Sequence, residues 1–190
     1  MRRLLLGLLP LLLAACAAPH APAPARCVPS YGGRLSAIPS SATGRAGVVA
    51  GFELELGSAD SGSLAIVNPL GQAVAEAGWD AAGAHLAAHG LRRDYPSFES
   101  MLQDELGLSL PRQALADWMR GRPSASAPAR SLAAGGFEQL GWQINPGFEA
   151  GALHRLRISR VSGESLTLVF DRRDDCTQPA APGLDPAQQR

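Results

Sequence analysis

Ser63-Leu64-Ala65-Ile66-Val67-Asn68-Pro69-Leu70-Gly71-Gln72-Ala73-Val74-Ala75-Glu76-Ala77-Gly78-Trp79 is the stretch whose reading decides the fold. Asparagine first, proline second and glycine fourth mark Asn68 to Gly71 as a type I turn, since proline presets the second φ and asparagine bonds the backbone that follows it. The flanking runs, Ser63 to Val67 and Gln72 to Trp79, therefore read as two antiparallel strands of one hairpin. Leu70 stands third in the turn, at the tip, where polar residues are usual. Single exposed leucines are common, so composition leaves two readings open for Leu70, an incidental one and a functional one.

Strands continue on both sides of this hairpin. Arg34 to Ile38 and Gly47 to Leu56 precede it, and Gly141 to Ile144, Leu153 to Ser159 and Ser165 to Phe170 come later, with Gly, Ser, Asp or Pro in the gaps. Leu156 and Ile158 alternate with Arg155 and Arg157, so one face of the sheet is wet. Glu53 and Glu55 alternate in the same way and read as a solvated face rather than an acid and base pair.

Two helices interrupt the strands. Ser97 can cap a helix carrying Phe98, Met101, Leu102 and Leu106 at helical spacing, and Gly107 is placed to end it. Pro111 fits the first turn of a second helix, whose stripe is Leu115, Trp118 and Met119 before the stop signals Gly121 and Pro123. Strands, two helices, then strands predicts a mainly β (α+β) fold, a curved antiparallel sheet with a helical cover over its concave face. The covered space is either an apolar cavity or an ordinary filled core, and the stripe alone does not separate the two.

The start of the chain carries a different signal. Arg2, Arg3 and an apolar run from Leu4 to Leu13, too short to span a bilayer as a helix, lead into Leu13-Ala14-Ala15-Cys16. Small residues before a cysteine are what a lipoprotein signal peptidase and acyl transferase require, so residues 1–15 are expected to be removed and Cys16 to carry lipid. Residues 16–30, rich in alanine and proline, read as a tether, residues 31–176 as the domain, and residues 177–190 as a disordered tail. A second Pro, Ser and Ala stretch, Arg122 to Ser131, reads as an exposed loop.

Composition excludes much chemistry. The chain has 17 acidic and 17 basic residues, and without Arg2 and Arg3 it has no basic excess to offer nucleic acid. Every basic residue is arginine, which removes lysine Schiff bases, Walker-type lysines and Ser-Lys dyads. No Gly-x-Ser-x-Gly elbow, Cys-x-x-Cys pair or phosphate-cradling glycine loop occurs. His85 and His89 have helical zinc spacing but lack the glutamate after the first histidine, so no metal and no cofactor are expected, and the chain does not read as an enzyme. Cys27 and Cys176 flank the first and last strands and can form a disulfide in an oxidising compartment. The other reading is two free thiols, neither in the company of a histidine and an acid.

Taken together, the lipobox, Phe52-Glu53-Leu54, Leu64 to Gly71, Leu110-Pro111, Ala114-Leu115, Trp118, Gly121, Pro123 and FEQLGW at 137 to 142 resemble the LolB family of outer-membrane lipoprotein receptors. The resemblance implies an open, unclosed antiparallel β-barrel with a helical lid around a hydrophobic cavity. In that family the cavity takes the acyl chains of a lipoprotein delivered by the periplasmic carrier LolA, and the receptor places the cargo in the outer membrane. The implied partners are a LolA-type carrier, acylated lipoprotein cargo and outer-membrane lipids, with the protein itself a monomer. Leu70, with Pro69, matches the family's protruding loop that promotes release into the bilayer. Phe98, Met101, Leu102, Leu106, Leu115, Trp118 and Met119 are the expected lid and cavity residues. Ala17, where no aspartate follows the cysteine, fits sorting to the outer membrane. The competing class is a scaffold lipoprotein with the same anchor and strands but a filled core.

Overall fold

The computed structural model describes residues 27–41, 44–58, 60–133 and 135–176. The signal segment 1–15, Cys16, the tether up to residue 26 and the tail 177–190 lie outside the described residues. Eleven strands form one sheet: β1 (Ser30–Ile38), β2 (Val48–Ser58), β3 (Ser61–Val67), β4 (Ala73–Trp79), β5 (Ala84–Ala88), β6 (Leu91–Tyr95), β7 (Ala129–Ser131), β8 (Phe137–Gln139), β9 (Trp142–Glu149), β10 (Ala152–Ser159) and β11 (Ser165–Asp174). Two helices, α1 (Phe98–Leu106) and α2 (Arg112–Trp118), separate β6 from β7.

The spatial order is β6-β5-β4-β3-β2-β1-β11-β10-β9-β8-β7, every pairing antiparallel. Consecutive strands pair except β6 and β7, and the one long-range pairing sets β1 against β11, Ile38 opposite Ser165. The short strands β6 and β7 are the two edges and do not pair with each other, so the sheet stays open. This is the curved sheet with a helical cover that the sequence predicts.

Alternation explains which face is buried. Phe52, Leu54 and Leu56 of β2 point into the core while Glu53 and Glu55 are exposed, and Glu53 meets Arg172 of β11 at 2.6 Å on the wet side. In β10 a register shift between Leu153 and Arg155 lets Leu153 and Leu156 both face inward despite their odd spacing. The region of β1 before Arg34 is strand as well. Its Gly32-Gly33 pair sits at a register shift against β11, and a Cβ on Gly33 would lie 2.0 Å from the Val169 carbonyl oxygen, so close approach requires glycine there.

Helix α1 starts where its cap predicts. The Ser97 hydroxyl accepts the Ser100 N–H and Ser100 Oγ accepts the Ser97 N–H, each at 3.1 Å, a capping box with serine in place of the usual glutamate. Gly107 ends the helix at φ 66° and donates its N–H to the Gln103 carbonyl. Pro111 sits one residue earlier than expected, at the cap of α2, where it offers no side-chain oxygen. Glu99 of α1 supplies it instead, accepting the Arg112 N–H at 3.1 Å.

Four strands were not legible in the sequence. Ala84 to Ala88 is alanine-rich and carries His85, whose ring lies over Gly78 of β4, while His89 (φ 54°) and Gly90 (φ 76°) make the two-residue turn into β6. Arg122 to Ser131 is not loop throughout, because its end forms β7 on the edge of β8. β8 itself turns back through Leu140 and Gly141, both at positive φ, into β9.

Candidate functional site

Between the sheet's inner face and the helices lies a cavity of about 60 Å³. Every residue lining it is apolar. β1, β2, β3, β4 and β11 contribute Leu35, Phe52, Leu54, Leu64, Trp79, Leu166 and Leu168. The helices and the segment between them contribute Phe98, Leu102, Leu106, Leu108, Leu110, Leu115 and Met119. The space is under half of the roughly 150 Å³ that accommodates a benzene ring in a dry protein cavity. In this conformation the helices fill most of the concave face.

Of the stripe residues, Phe98, Leu102, Leu106, Leu115 and Met119 line the cavity, whereas Met101 and Trp118 are buried away from it. Trp118 has a fastening role. Its indole N–H donates to Gln139 Oε1 at 2.8 Å, and the same oxygen accepts the Ser124 N–H at 2.9 Å. Gln139 Nε2 donates to the carbonyls of Ser124 and Ala127 at 2.7 and 2.6 Å. One buried carboxamide on β8 thus ties α2 and the loop after it to the sheet. The FEQLGW motif contains Gln139 without marking it as a fastener; the signal is that Phe137 and Gln139 share one face of a strand and Phe137 is inside, which places the glutamine inside too.

Two arginines add to the hold on α2. Arg112 donates to the Asp80 carbonyl at 2.8 Å, and Arg173 of β11 reaches the Met119 carbonyl at 3.3 Å. Helix α1 is held differently: its last turn is joined to β6 through Glu105, which takes hydrogen bonds from Tyr95 Oη and Arg93 at the protein surface. The Glu105 bond, followed by burial, raises the pKa of Tyr95 above the ordinary phenol range.

Leu70 is 83% exposed. Its turn is rigid because Asn68 Oδ1 accepts the N–H groups of Leu70 and Gln72 at 2.9 and 3.0 Å, and the Gly71 N–H bonds the Asn68 carbonyl at 2.9 Å. Pro69 fixes the approach, and the leucine is held out in water. At the opposite end of the sheet Cys27 and Cys176 are joined in a disulfide with Cα atoms 5.7 Å apart.

The sequence family described as outer membrane lipoprotein LolB matches residues 30–147. The chain belongs to the LolB family. The outer-membrane lipoprotein LolB of Chromobacterium violaceum is 38% identical over 151 residues, covering 75% of this chain and 81% of that protein. That of Cupriavidus necator is 31% identical over 190 residues, covering 86% of this chain and 92% of that protein. That of Neisseria meningitidis serogroup A is 34% identical over 110 residues, covering 57% and 56%. The LolB match takes in the Leu70 turn, both helices and Gln139, whereas Cys27 and Cys176 fall outside it. Membership makes the chain an outer-membrane lipoprotein of a lipoprotein-localisation family, which is not a family of enzymes.

Proposed function

We propose that this protein accepts acylated lipoproteins from a LolA-type periplasmic carrier and inserts them into the inner leaflet of the outer membrane, with no catalysis, cofactor or nucleotide of its own. The wholly apolar lining of the space under the helices carries this reading. Lipoprotein acyl chains total on the order of 40 to 50 carbons, and at about 0.8 kcal/mol per methylene their exposure to water would cost tens of kcal/mol. Cargo must therefore pass from one apolar surface to the next, and a gradient of affinity supplies the direction.

At about 60 Å³ the cavity is far too small for an acyl chain, so binding requires the cover to move. Helix α2 is fastened by buried hydrogen bonds through Gln139, while α1 is joined to the sheet edge by surface groups on Glu105. Helix α1 is accordingly the part that swings, taking Phe98, Leu102 and Leu106 with it. In this scheme residues 1–15 are removed, Cys16 carries the lipid, residues 16–30 form the tether and residues 31–176 the receptor domain, acting as a monomer. Leu70 on its rigid turn, with Pro69, acts at release into the bilayer.

The test mixes the mature chain with carrier holding a labelled acylated lipoprotein. Transfer of label to the chain is expected, with Leu70→Glu accepting cargo but failing to pass it to vesicles. A folded chain that takes no label would turn the assignment to a scaffold lipoprotein.

A further inference from the structure

In a meander of antiparallel strands alternate turns lie along the same rim. The ends of β1, β3, β5, β8 and β10 and the starts of β2, β4, β6, β9 and β11 fall on one rim, as the pairings Ala37 with Val48, Val67 with Ala73, Ala88 with Leu91, Gln139 with Trp142 and Ser159 with Ser165 require. The four most exposed large apolar side chains of the described residues are all on this rim: Val161 (96%), Leu70 (83%), Val49 (80%) and Leu91 (73%). Ile38 and Leu140 join them there. Leu140 is held at φ 52°, a conformation that glycine or asparagine adopts far more cheaply, so an apolar tip is present at the expense of backbone strain.

Charge divides the same way. With turns and strand ends counted alike, the opposite rim carries Asp60, Asp80, Asp94, Glu149, Asp174 and Asp175 against Arg173, which pairs with Asp175, while the apolar rim carries Arg45, His89, Arg92, Arg130 and Arg160 against Glu138 and Glu164, which face Arg130 and Arg160. We propose that this whole rim, not the Leu70 turn alone, is a docking surface for a bilayer containing anionic phospholipid. Aliphatic side chains on three turns, Leu70, Leu140 and Val161, and at neighbouring strand ends, Ile38, Val49 and Leu91, can each enter the headgroup boundary, and the basic balance suits an anionic surface while the acidic end points away. The inference rests on the receptor reading only for what is delivered. An acyl anchor at Cys16 is compatible with it, because the eleven steps to Cys27 reach at most about 40 Å, against about 33 Å for the ten residues of β11.

A tryptophan placed on each rim tests this in the lipidated chain reconstituted in vesicles whose acyl chains are brominated. The native Trp79, Trp118 and Trp142 are buried and give a common baseline. Val161→Trp and Leu91→Trp are expected to be quenched, more strongly when phosphatidylglycerol is added to phosphatidylcholine, and Phe148→Trp on the acidic rim is not. Equal quenching at 148 and 161, or none at 161 and 91, would overturn the proposal. Leu91→Ser combined with Val161→Ser is expected to slow delivery to vesicles about tenfold with uptake from the carrier unchanged. Loss of uptake instead would make the rim a carrier-binding surface and defeat the inference. Quenching in a chain that accepts no cargo would leave the rim standing and remove the receptor reading.

Discussion

Replacing Gln139 with leucine keeps the side-chain volume close to native but strips four hydrogen bonds from the point where α2 meets the sheet. Two buried donors, Trp118 Nε1–H and the Ser124 N–H, lose their only acceptor, and an unsatisfied buried donor costs about 1–3 kcal/mol. The buried Ser124 carbonyl and the half-buried Ala127 carbonyl also lose a donor, while leucine regains some apolar burial. The expected net loss is about 3–5 kcal/mol, a large share of the 5–15 kcal/mol typical of a whole domain. Urea unfolding followed by tryptophan fluorescence reads it as a lowered midpoint with an unchanged slope. Trp118→Phe should cost less, because Gln139 retains three of its partners, and the double variant should fall short of additivity by about 1 kcal/mol or more, since the shared bond can be lost only once. A Gln139→Leu loss below about 1 kcal/mol, or strict additivity, would refute the view that this carboxamide fastens the cover.

Other expectations follow from single contacts. The disulfide closes a loop with a sequence separation of 149, so Cys176→Ser should lower stability by up to about 5 kcal/mol, read by urea unfolding with and without reductant. Gly33→Ala should destabilise by about 2–4 kcal/mol, because its Cβ would meet the Val169 carbonyl at 2.0 Å, whereas Gly71→Ala, with open space around it but φ 78°, should cost about 1–2 kcal/mol in the same melt. Burial, and then its bond to Asp175, push the Tyr31 phenol well above its ordinary range. A raised pKa contributes stability that is complete below about pH 10 and is lost as pH climbs through the folded value, so melting temperatures should fall on the alkaline side and Tyr31→Phe should flatten that fall.

The parts of the fold that were legible are those where one residue decides local geometry. Asn68, Pro69 and Gly71 specify the hairpin turn, Ser97 and Gly107 bracket α1, and the Leu and Arg alternation sets the faces of β10. What escaped is what only neighbours decide. Ala84 to Ala88 is strand because β4 pairs with it, and Ala129 to Ser131 because β8 does. At the site the helix stripe was legible as a stripe, but its division into cavity wall and anchor was not. Trp118 and Leu115 stand three apart on one short helix, and only the partner across the gap, a glutamine in one case and empty space in the other, gives them different work.

The pairing of β1 with β11 has a consequence for how the molecule is made. The first strand to be synthesised has two neighbours, and one of them is the last strand to appear. Until Ser165 to Asp174 has emerged, the sheet exists only as two unjoined halves, each with half of its apolar inner face bare, and the long-range contact that unites them is also the slow one to form. The Cys27 to Cys176 bond crosses the same junction, so it closes only once synthesis has passed residue 176. Truncated chains can build neither, which leaves them open to proteolysis while the finished one is locked.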